Sequence, residues 1–532
     1  MMTSLFLIGL DYGSESARGV LIDAATGEQI ASRVHPYRHG IMTHSLPGGR
    51  RLPDAWALQN AADYLDAADD ILGSLGRNRN IAAIGIGFTA SSPLPATADG
   101  RPLSQLYPDE PHAYVKLWKH SAAQPYADEI NRQGGAFLAN FGGKVSGEWL
   151  LAKAAQVERE APHIWARADR FIEAGDWLVW QLTQREMRSL DFAAYKAQYT
   201  PTLGYPVEAN PGLARRLGAP VPVGSAAGAL SAEWRRRTGI GGHPIVAVAV
   251  IDSHVVLPAV GAIGPHTLVG ALGTSAAYLL LNDSGGPLPA GIEGMAENGA
   301  LPGLWCYEAG QAGFGDILAW FVRAFPRGVD LAESFQRYNH DAAAPARNRL
   351  VALDWWSGNR VPYADSHLSG LLVGLNLTTT STDIYRALLE SLCFGTRSIL
   401  DLFQGGGLPV DRILLTSGLS QRNPLLMQMM ADVLGRPIEI PLIRNPTAVG
   451  AAIHGAAAAG IVADFAEGAA RFGARQYHIH HPEQARTQAY ETLYREYRQL
   501  TGDDQIHRTM HRLAAAGPAP DGVDPAGQAR RG

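Results

Sequence analysis

Two turns that combine glycine with hydroxyl residues close apolar strands in opposite halves of the chain: Asp11-Tyr12-Gly13-Ser14 after Leu5 to Leu10, and Gly273-Thr274-Ser275 after Thr267 to Leu272. Glycine lets backbone N–H groups approach an anion closely, hydroxyls add neutral donors, and Asp11 can hold the divalent cation that accompanies a polyphosphate. Asp252 follows a further apolar run, Ile245 to Ile251. A carboxylate at that point sits on the rim of a sheet, where α/β proteins bind ligands, and can accept a proton from a bound hydroxyl. Each element also has a plainer use. Asp252 suits a helix N-cap, Asp11 a turn, and Gly273-Thr274-Ser275 a tight hairpin. If the two turns face one cleft, the chemistry they share is phosphoryl transfer, which asks for alignment, charge neutralisation and a base rather than covalent help.

The elements that must position these residues follow from hydrophobic patterning. Leu5 to Leu10, Ala17 to Asp23 and Gln29 to Val34 read as a three-stranded meander, followed by an alanine-rich helix over Trp56 to Leu75 and a strand over Ile81 to Ile86. A polar, proline-interrupted stretch from Ala90 to Pro125 leads to helical segments at Glu148 to Arg159 and Asp176 to Leu182. After Pro244 the pattern restarts: strand Ile245 to Val250, helix Ser253 to Val260, strand Thr267 to Leu272, turn, and strand Ala276 to Leu281. Both halves thus begin with strand, turn and strand, which implies structural duplication without sequence repetition. Asp383 to Leu402 is an amphipathic helix with an acidic start, and Ile413 to Thr416, the turn Ser417 to Ser420, helix Asn423 to Leu434 and strand Pro437 to Ile440 form a βαβ-like unit. Ala448 to Ala459 reads as a small-residue packing helix, and the alanine-, glycine- and proline-rich tail from Ala514 as disordered.

At 532 residues and 46% hydrophobic the chain is too long for one ordinary domain and rich enough in apolar residues for two large ones. Forty-five basic residues against 50 acidic ones give a net charge of -5, so no general cationic surface is offered to nucleic acid or anionic lipid, and a small-molecule partner is expected. Cys306 and Cys393 are too few for a disulfide framework or a zinc site, which points to the reducing cytoplasm. No secretory signal and no membrane span is read from the sequence. Gly85-Ile86-Gly87-Phe88-Thr89-Ala90 matches a dinucleotide fingerprint, but Pro93 and Pro95 stop the helix that should follow it, and no P-loop motif exists. The 17 histidines, among them His478, His480 and His481, show no ligand spacing and read as surface residues.

The order of several short segments resembles the FGGY carbohydrate kinases over about residues 5 to 500. The segments are Gly9-Leu10-Asp11-Tyr12-Gly13-Ser14-Glu15-Ser16-Ala17-Arg18, Lys116-Leu117-Trp118-Lys119-His120, Gly142-Gly143-Lys144-Val145-Ser146 and Tyr195-Lys196-Ala197. Ile251-Asp252-Ser253-His254, Gly273-Thr274-Ser275 and Tyr307-Glu308-Ala309-Gly310-Gln311 continue the series. Gly370-Leu371-Leu372-Val373-Gly374-Leu375, followed by Asp383-Ile384 and Ala387-Leu388-Leu389-Glu390, is similar to the family's C-terminal signature.

This resemblance implies an α/β fold of two actin-like (ribonuclease H-like) ATPase domains with a cleft between them: residues 1–264 for sugar and phosphate, 265–505 for nucleotide, and 506–532 as a disordered tail. It implies ATP and Mg2+ as cofactors and, within the family, the ribulokinase branch, with phosphorylation of a ketopentose such as L-ribulose to its 5-phosphate. Other polyols, D-ribulose and xylulose stay open, as does a non-catalytic actin-like nucleotide-binding protein. Asp252 is the implied base, and Ala90, Lys196, Asp252 and Glu308 the implied sugar contacts, where a lysine and two carboxylates can hydrogen-bond a polyol from several sides. Without the resemblance, Lys196 and Glu308 would be read as surface charges. Asp11 is assigned to the metal, Gly13, Ser14, Ser16, Arg18, Gly273, Thr274 and Ser275 to the phosphates, and Ser417, Gly418 and Asn423 to the nucleoside. The family has two adjacent glycines where this chain has Ser417-Gly418, so the serine side chain is expected to narrow the nucleotide's approach. Trp118 and Lys119 are secondary candidates for the sugar pocket. The partners implied are the sugar and ATP, with no nucleic acid and no membrane, and a homodimer is the assembly left open.

Overall fold

The computed structural model describes residues 4–344 and 349–516. Two mixed sheets of seven strands each organise it. In the first half, β1 (Leu5–Tyr12), β2 (Ser16–Asp23) and β3 (Gln29–Pro36) form the expected meander. Helix α1 (Ala61–Gly76) follows, with Asn60 accepting the Ala62 N–H as its cap, and leads into β4 (Asn80–Phe88). After helix α2 (Leu190–Lys196) come β5 (Ala226–Ala229), β6 (Ile245–Ala247), β7 (Val250–Ile251) and the four-residue helix α3 (Asp252–Val255). The sheet runs β5-β6-β4-β1-β2-β3, with β7 also pairing with β4.

The second half repeats the plan. Strands β8 (Thr267–Leu272), β9 (Ala276–Asn282), β10 (Gly294–Glu297) and β11 (Trp305–Gln311) precede helix α4 (Gly315–Ala324). Helix α5 (Ser381–Gly405) opens with a capping box between Thr380 and Asp383. Then come β12 (Arg412–Thr416), α6 (Gly418–Arg422), α7 (Pro424–Leu434), β13 (Ile438–Pro441), α8 (Pro446–Ala458), β14 (Tyr477–His480) and α9 (Asp504–Ala516). The order here is β10-β11-β9-β8-β12-β13-β14. In both sheets an antiparallel meander is extended by parallel strands, β1 with β4 in one and β8 with β12 in the other. The duplication read from the sequence is present in the strand topology.

Five sequence expectations change. Strand Ile245 to Val250 is two short strands, both parallel to β4. The helix expected over Ser253 to Val260 stops after Val255 and resumes as a 3-10 turn at Pro258–Val260, because Pro258 has no N–H to continue the ladder. Ser417 to Ser420 is the start of α6 rather than a simple turn. Residues 506–516, given to the tail, are the body of α9, whose Met510 is buried in the second core; the remainder, 517–532, lies outside the described residues. Of the histidines read as surface residues, His112, His120, His254, His454 and His480 are buried, while His478 and His481 are exposed.

Helix α8 lies in sequence between two strands of the second sheet, β13 and β14, yet packs on the first. A Cβ on Gly9 would overlap the Ala448 carbonyl oxygen, and one on Gly85 would overlap that of Ala451. The glycines of the apparent dinucleotide fingerprint therefore serve helix-to-strand contact. Ala448, Val449, Ala452 and Ile453 join Leu7, Val20, Ile22 and Ala83 in one apolar cluster, so the division at residue 264 does not hold for this helix. No helix among the described residues is long and apolar enough to cross a membrane.

Candidate active site

The parallel register brings three chain segments to one edge of the first sheet. Asp11 and Tyr12 of β1 lie beside Gly87 and Phe88 of β4, and Val250 and Ile251 of β7 lie on the other side of the same two residues. Asp11, Ala90 and Asp252 are thus delivered to neighbouring strand ends, the place where α/β sheets hold ligands. Ser253 N–H donates to Asp252 Oδ1 at 2.7 Å. Burial pushes the Asp252 carboxyl up to about 6, against the pull of that N–H, His254 and Lys196 and with a further push from Glu308. Burial and the Asp252 charge raise Asp11 to about 7, while Arg18, its cross-strand partner, pulls it down.

Lys196 at the end of α2 and Glu308 in the middle of β11 come from opposite halves and form a buried pair, with Lys196 Nζ 3.2 and 3.3 Å from the two Glu308 oxygens. Burial opposes both charges, but the surrounding opposite charges together outweigh it: Glu308, with Glu293 and Asp191, holds the lysine above its usual value, and Lys196, with His254 and Arg360, holds the glutamate below. Both were surface charges on sequence grounds alone. The pair is held together because both charges are largely, though not fully, withdrawn from water.

The first turn is closed by Gly13 N–H donating to Ser16 O at 3.1 Å. Trp118 Nε1 donates to Ser14 Oγ at 2.9 Å, which places Trp118 against the first turn. Lys119 is exposed. The second turn is closed by Gly273 N–H to Ser275 O at 2.8 Å, and Gly273 and Thr274 are exposed. Ser417 Oγ accepts the N–H groups of Leu419 and Ser420 at 3.0 and 3.2 Å, so its side chain is turned into the cap of α6 instead of outward. Gly418 lies under the Arg422 guanidinium. Asn423 is a correction of a different kind: it is 3% exposed, caps α7 through the Leu426 N–H, and donates to Asn339 Oδ1. Both ends of its amide are engaged inside the protein, leaving it a helix cap.

Residues 268–459 match the C-terminal domain of the FGGY family of carbohydrate kinases. Over 528 residues the chain is 41% identical to a ribulokinase of Mycolicibacterium smegmatis, covering 93% of both proteins. A ribulokinase of Halalkalibacterium halodurans is 39% identical over 532 residues, covering 93% of this chain and 94% of that protein. The chain belongs to the FGGY family of carbohydrate kinases. It is a sugar kinase, a phosphotransferase. Its fold is that of a xylulose kinase from Rhodospirillum rubrum, with a TM-score of 0.81 at 22% identity over 95% of this chain and 100% of that one. A Plasmodium falciparum glycerol kinase with ADP gives 0.76 at 14% identity over 94% and 99%. The actin-like two-domain fold expected from the sequence is confirmed.

Within this FGGY kinase the residues that sequence reasoning missed are Asp191, His254, Glu293 and Arg360. His254 Nδ1 lies 2.6 Å from Asp191 Oδ1, and Asp191 Oδ2 accepts the Ile251 N–H at 2.8 Å, tying α2 to the strand that delivers Asp252. Glu293 has a buried Oε1 without a partner, and its carboxyl is raised by burial in spite of Arg360. Arg360 reaches Glu148 at 3.8 Å. The available signal was polar residues inside apolar runs, such as Asp191 in Leu190 to Ala194 and His254 ahead of Val255 to Leu257.

Proposed function

We propose that this chain transfers the γ-phosphoryl group of ATP to the terminal hydroxyl of a ketopentose, with L-ribulose as the preferred acceptor. The supporting observation is the meeting of Asp252, Lys196 and Glu308, drawn from both halves of the chain, beside the Asp11 turn. The printed activity of the relatives, ribulokinase, supports the choice of acceptor.

Asp252 is the base. Its carboxylate takes the hydroxyl proton as the sugar oxygen bonds to the γ-phosphorus; the bond from that phosphorus to the β-bridging oxygen breaks, and ADP leaves with the electron pair. A pKa near 6 suits the task, since the group is ionised at neutral pH yet still basic. Lys196 donates to sugar oxygens while Glu308 accepts from hydroxyls, and the backbone around Ala90 closes the pocket. Gly13, Ser14, Ser16, Arg18, Gly273, Thr274 and Ser275 are assigned to the polyphosphate, and Ser417 and Gly418 to the nucleoside.

Among the described residues no three His, Cys, Asp or Glu side chains are gathered as a metal site. The Asp11 carboxyl, raised by burial and by Asp252, fits a hydrated Mg2+ that takes its other ligands from phosphate and water. Such an ion supplies charge neutralisation of the phosphates. Closure of the two halves excludes water from the γ-phosphate and so limits hydrolysis. Buried, unpaired Cys306 and Cys393 support placement in the reducing cytoplasm.

The test is ADP release measured with L-ribulose, D-ribulose, xylulose and glycerol, for wild type and Asp252→Asn. The substitution is expected to lower kcat by about 10²–10⁴-fold while sugar binding is largely kept. A near-normal rate in the variant would overturn the base assignment, and preference for another sugar would replace the acceptor. Release of ADP independent of every sugar would favour a nucleotide-binding protein without sugar transfer.

A further inference from the structure

His254 is fully buried, and its two ring nitrogens face opposite charges in different elements. Nδ1 is engaged with Asp191 of α2 at 2.6 Å. Among the described residues Nε2 has no hydrogen-bond partner, and it lies 3.9 Å from Glu308 Oε1 of β11. On its other side Glu308 meets Lys196 Nζ at 3.2 Å. The ring is steered by Tyr195, which packs edge-on with centroids 4.6 Å apart and whose hydroxyl donates to Cys306 O at 2.7 Å. Asp191, His254 and Lys196 belong to the first half, and Glu308 belongs to the second.

We infer that His254 is a positioning residue: held as an imidazolium by Asp191, it forms with Lys196 a two-cation seat that draws Glu308 into the sugar pocket and fixes which of its lone pairs a sugar hydroxyl meets. The inference rests on the sugar-kinase reading and deepens it. A neutral ring donating from Nδ1 to Asp191 would turn the Nε2 lone pair toward a carboxylate oxygen, which is repulsive; the protonated ring presents an N–H instead. The order Asp191, His254, Glu308, Lys196 then alternates negative and positive, so that each buried charge meets an opposite one. The groups facing His254 are Asp191, Lys196 and the Tyr195 ring from α2, Glu308 from β11, and Asp252 on its own helix. Burial works against the imidazolium and Lys196 repels it, but Asp191 and Glu308 outweigh both, so the ring is held above its ordinary 6.5. The seat is therefore complete below the raised pKa and is lost as pH rises through it.

His254→Asn tests this, since asparagine can still donate to Asp191 but carries no charge and no atom at the Nε2 position. The KM for L-ribulose is expected to rise about tenfold, the size of losing one charge-assisted partner, while the KM for ATP changes by less than about twofold and the acid limb of kcat moves to higher pH as Asp252 loses the pull of the His254 charge. In the wild type the sugar KM should climb on the alkaline side, and in the variant that climb should be absent. A variant with wild-type sugar KM and the same alkaline climb would overturn the inference, as would a loss confined to kcat. Should the variant fail to fold, 15N-histidine NMR of the wild-type protein decides: a doubly protonated His254 at pH 7 supports the seat, and a neutral ring overturns it. Sugar-dependent turnover with an indifferent His254→Asn sinks only this inference, whereas a wild type that turns over no sugar sinks the kinase reading beneath it.

Discussion

The two turns share a backbone design and differ in what surrounds them. In each, a glycine N–H donates to a carbonyl across the turn, Gly13 to Ser16 at 3.1 Å and Gly273 to Ser275 at 2.8 Å. Around the first, the protein supplies charge and side-chain bracing: Asp11 opposite Arg18, Trp118 on the Ser14 hydroxyl, and Gln59 Nε2 donating to Ser14 O at 2.6 Å. The second is braced only from behind, through its carbonyls, with Phe314 N–H donating to Thr274 O at 2.8 Å and Gly315 N–H to Gly273 O at 3.0 Å. Its exposed face keeps neutral donors. At the turns themselves the duplicated fold sets charged side chains beside the first and leaves hydroxyl and backbone groups exposed on the second, although the second half still contributes Glu308 to the pair with Lys196.

The comparison can be broken by removing what is distinctive on each side. Asp11→Asn is expected to have the largest effect, raising the Mg2+ concentration for half-maximal rate by about 10–100-fold, read from a metal titration at saturating ATP. An unchanged Mg2+ requirement would mean that the first turn binds by backbone alone, like the second. Next in size is the acid limb of the wild-type profile. Because Asp252 must be ionised to act and its pKa is raised to about 6, kcat/KM for the sugar should fall roughly tenfold per pH unit below that value and hold above it until the alkaline climb of the sugar KM sets in. A profile flat down to pH 4.5 would remove Asp252 from the role. The smallest effect belongs to the second turn. Thr274→Ala should raise the KM for ATP by about fivefold, worth one neutral hydrogen bond of about 1 kcal/mol, and leave the sugar KM alone.

Much of this was legible in advance because it rests on short-range rules. Alternating strands around glycine turns located β1, β2, β8 and β9, and the apolar run before Asp252 placed that carboxylate at a strand end. What could not be read locally was partnership. Lys196 and Glu308 are 112 residues apart and look solvated until the halves are brought together. Asp191 carries no motif, His254 closes a family segment that names no role for it, and only their apolar neighbours hint that they are buried. Asn423 was assigned to the nucleoside by family resemblance, whereas the local rule for an asparagine before Pro424, helix capping, describes its observed role. Ser417 shows the same rule from the other side: a hydroxyl expected to obstruct the nucleotide is turned toward two backbone N–H groups.

The seating of α8 on Gly9 and Gly85 also bears on the order in which the molecule can be completed during synthesis. The first sheet is finished in sequence once β7 has emerged, but its Leu7, Val20, Ile22 and Ala83 face waits for residues 446–458. At about 5–20 residues per second, the nearly two hundred intervening residues take roughly 10–40 s to appear. Throughout that interval the nascent N-terminal half presents an uncovered apolar groove with two glycines at its floor, a surface that chaperones hold and that a truncated product would keep for good.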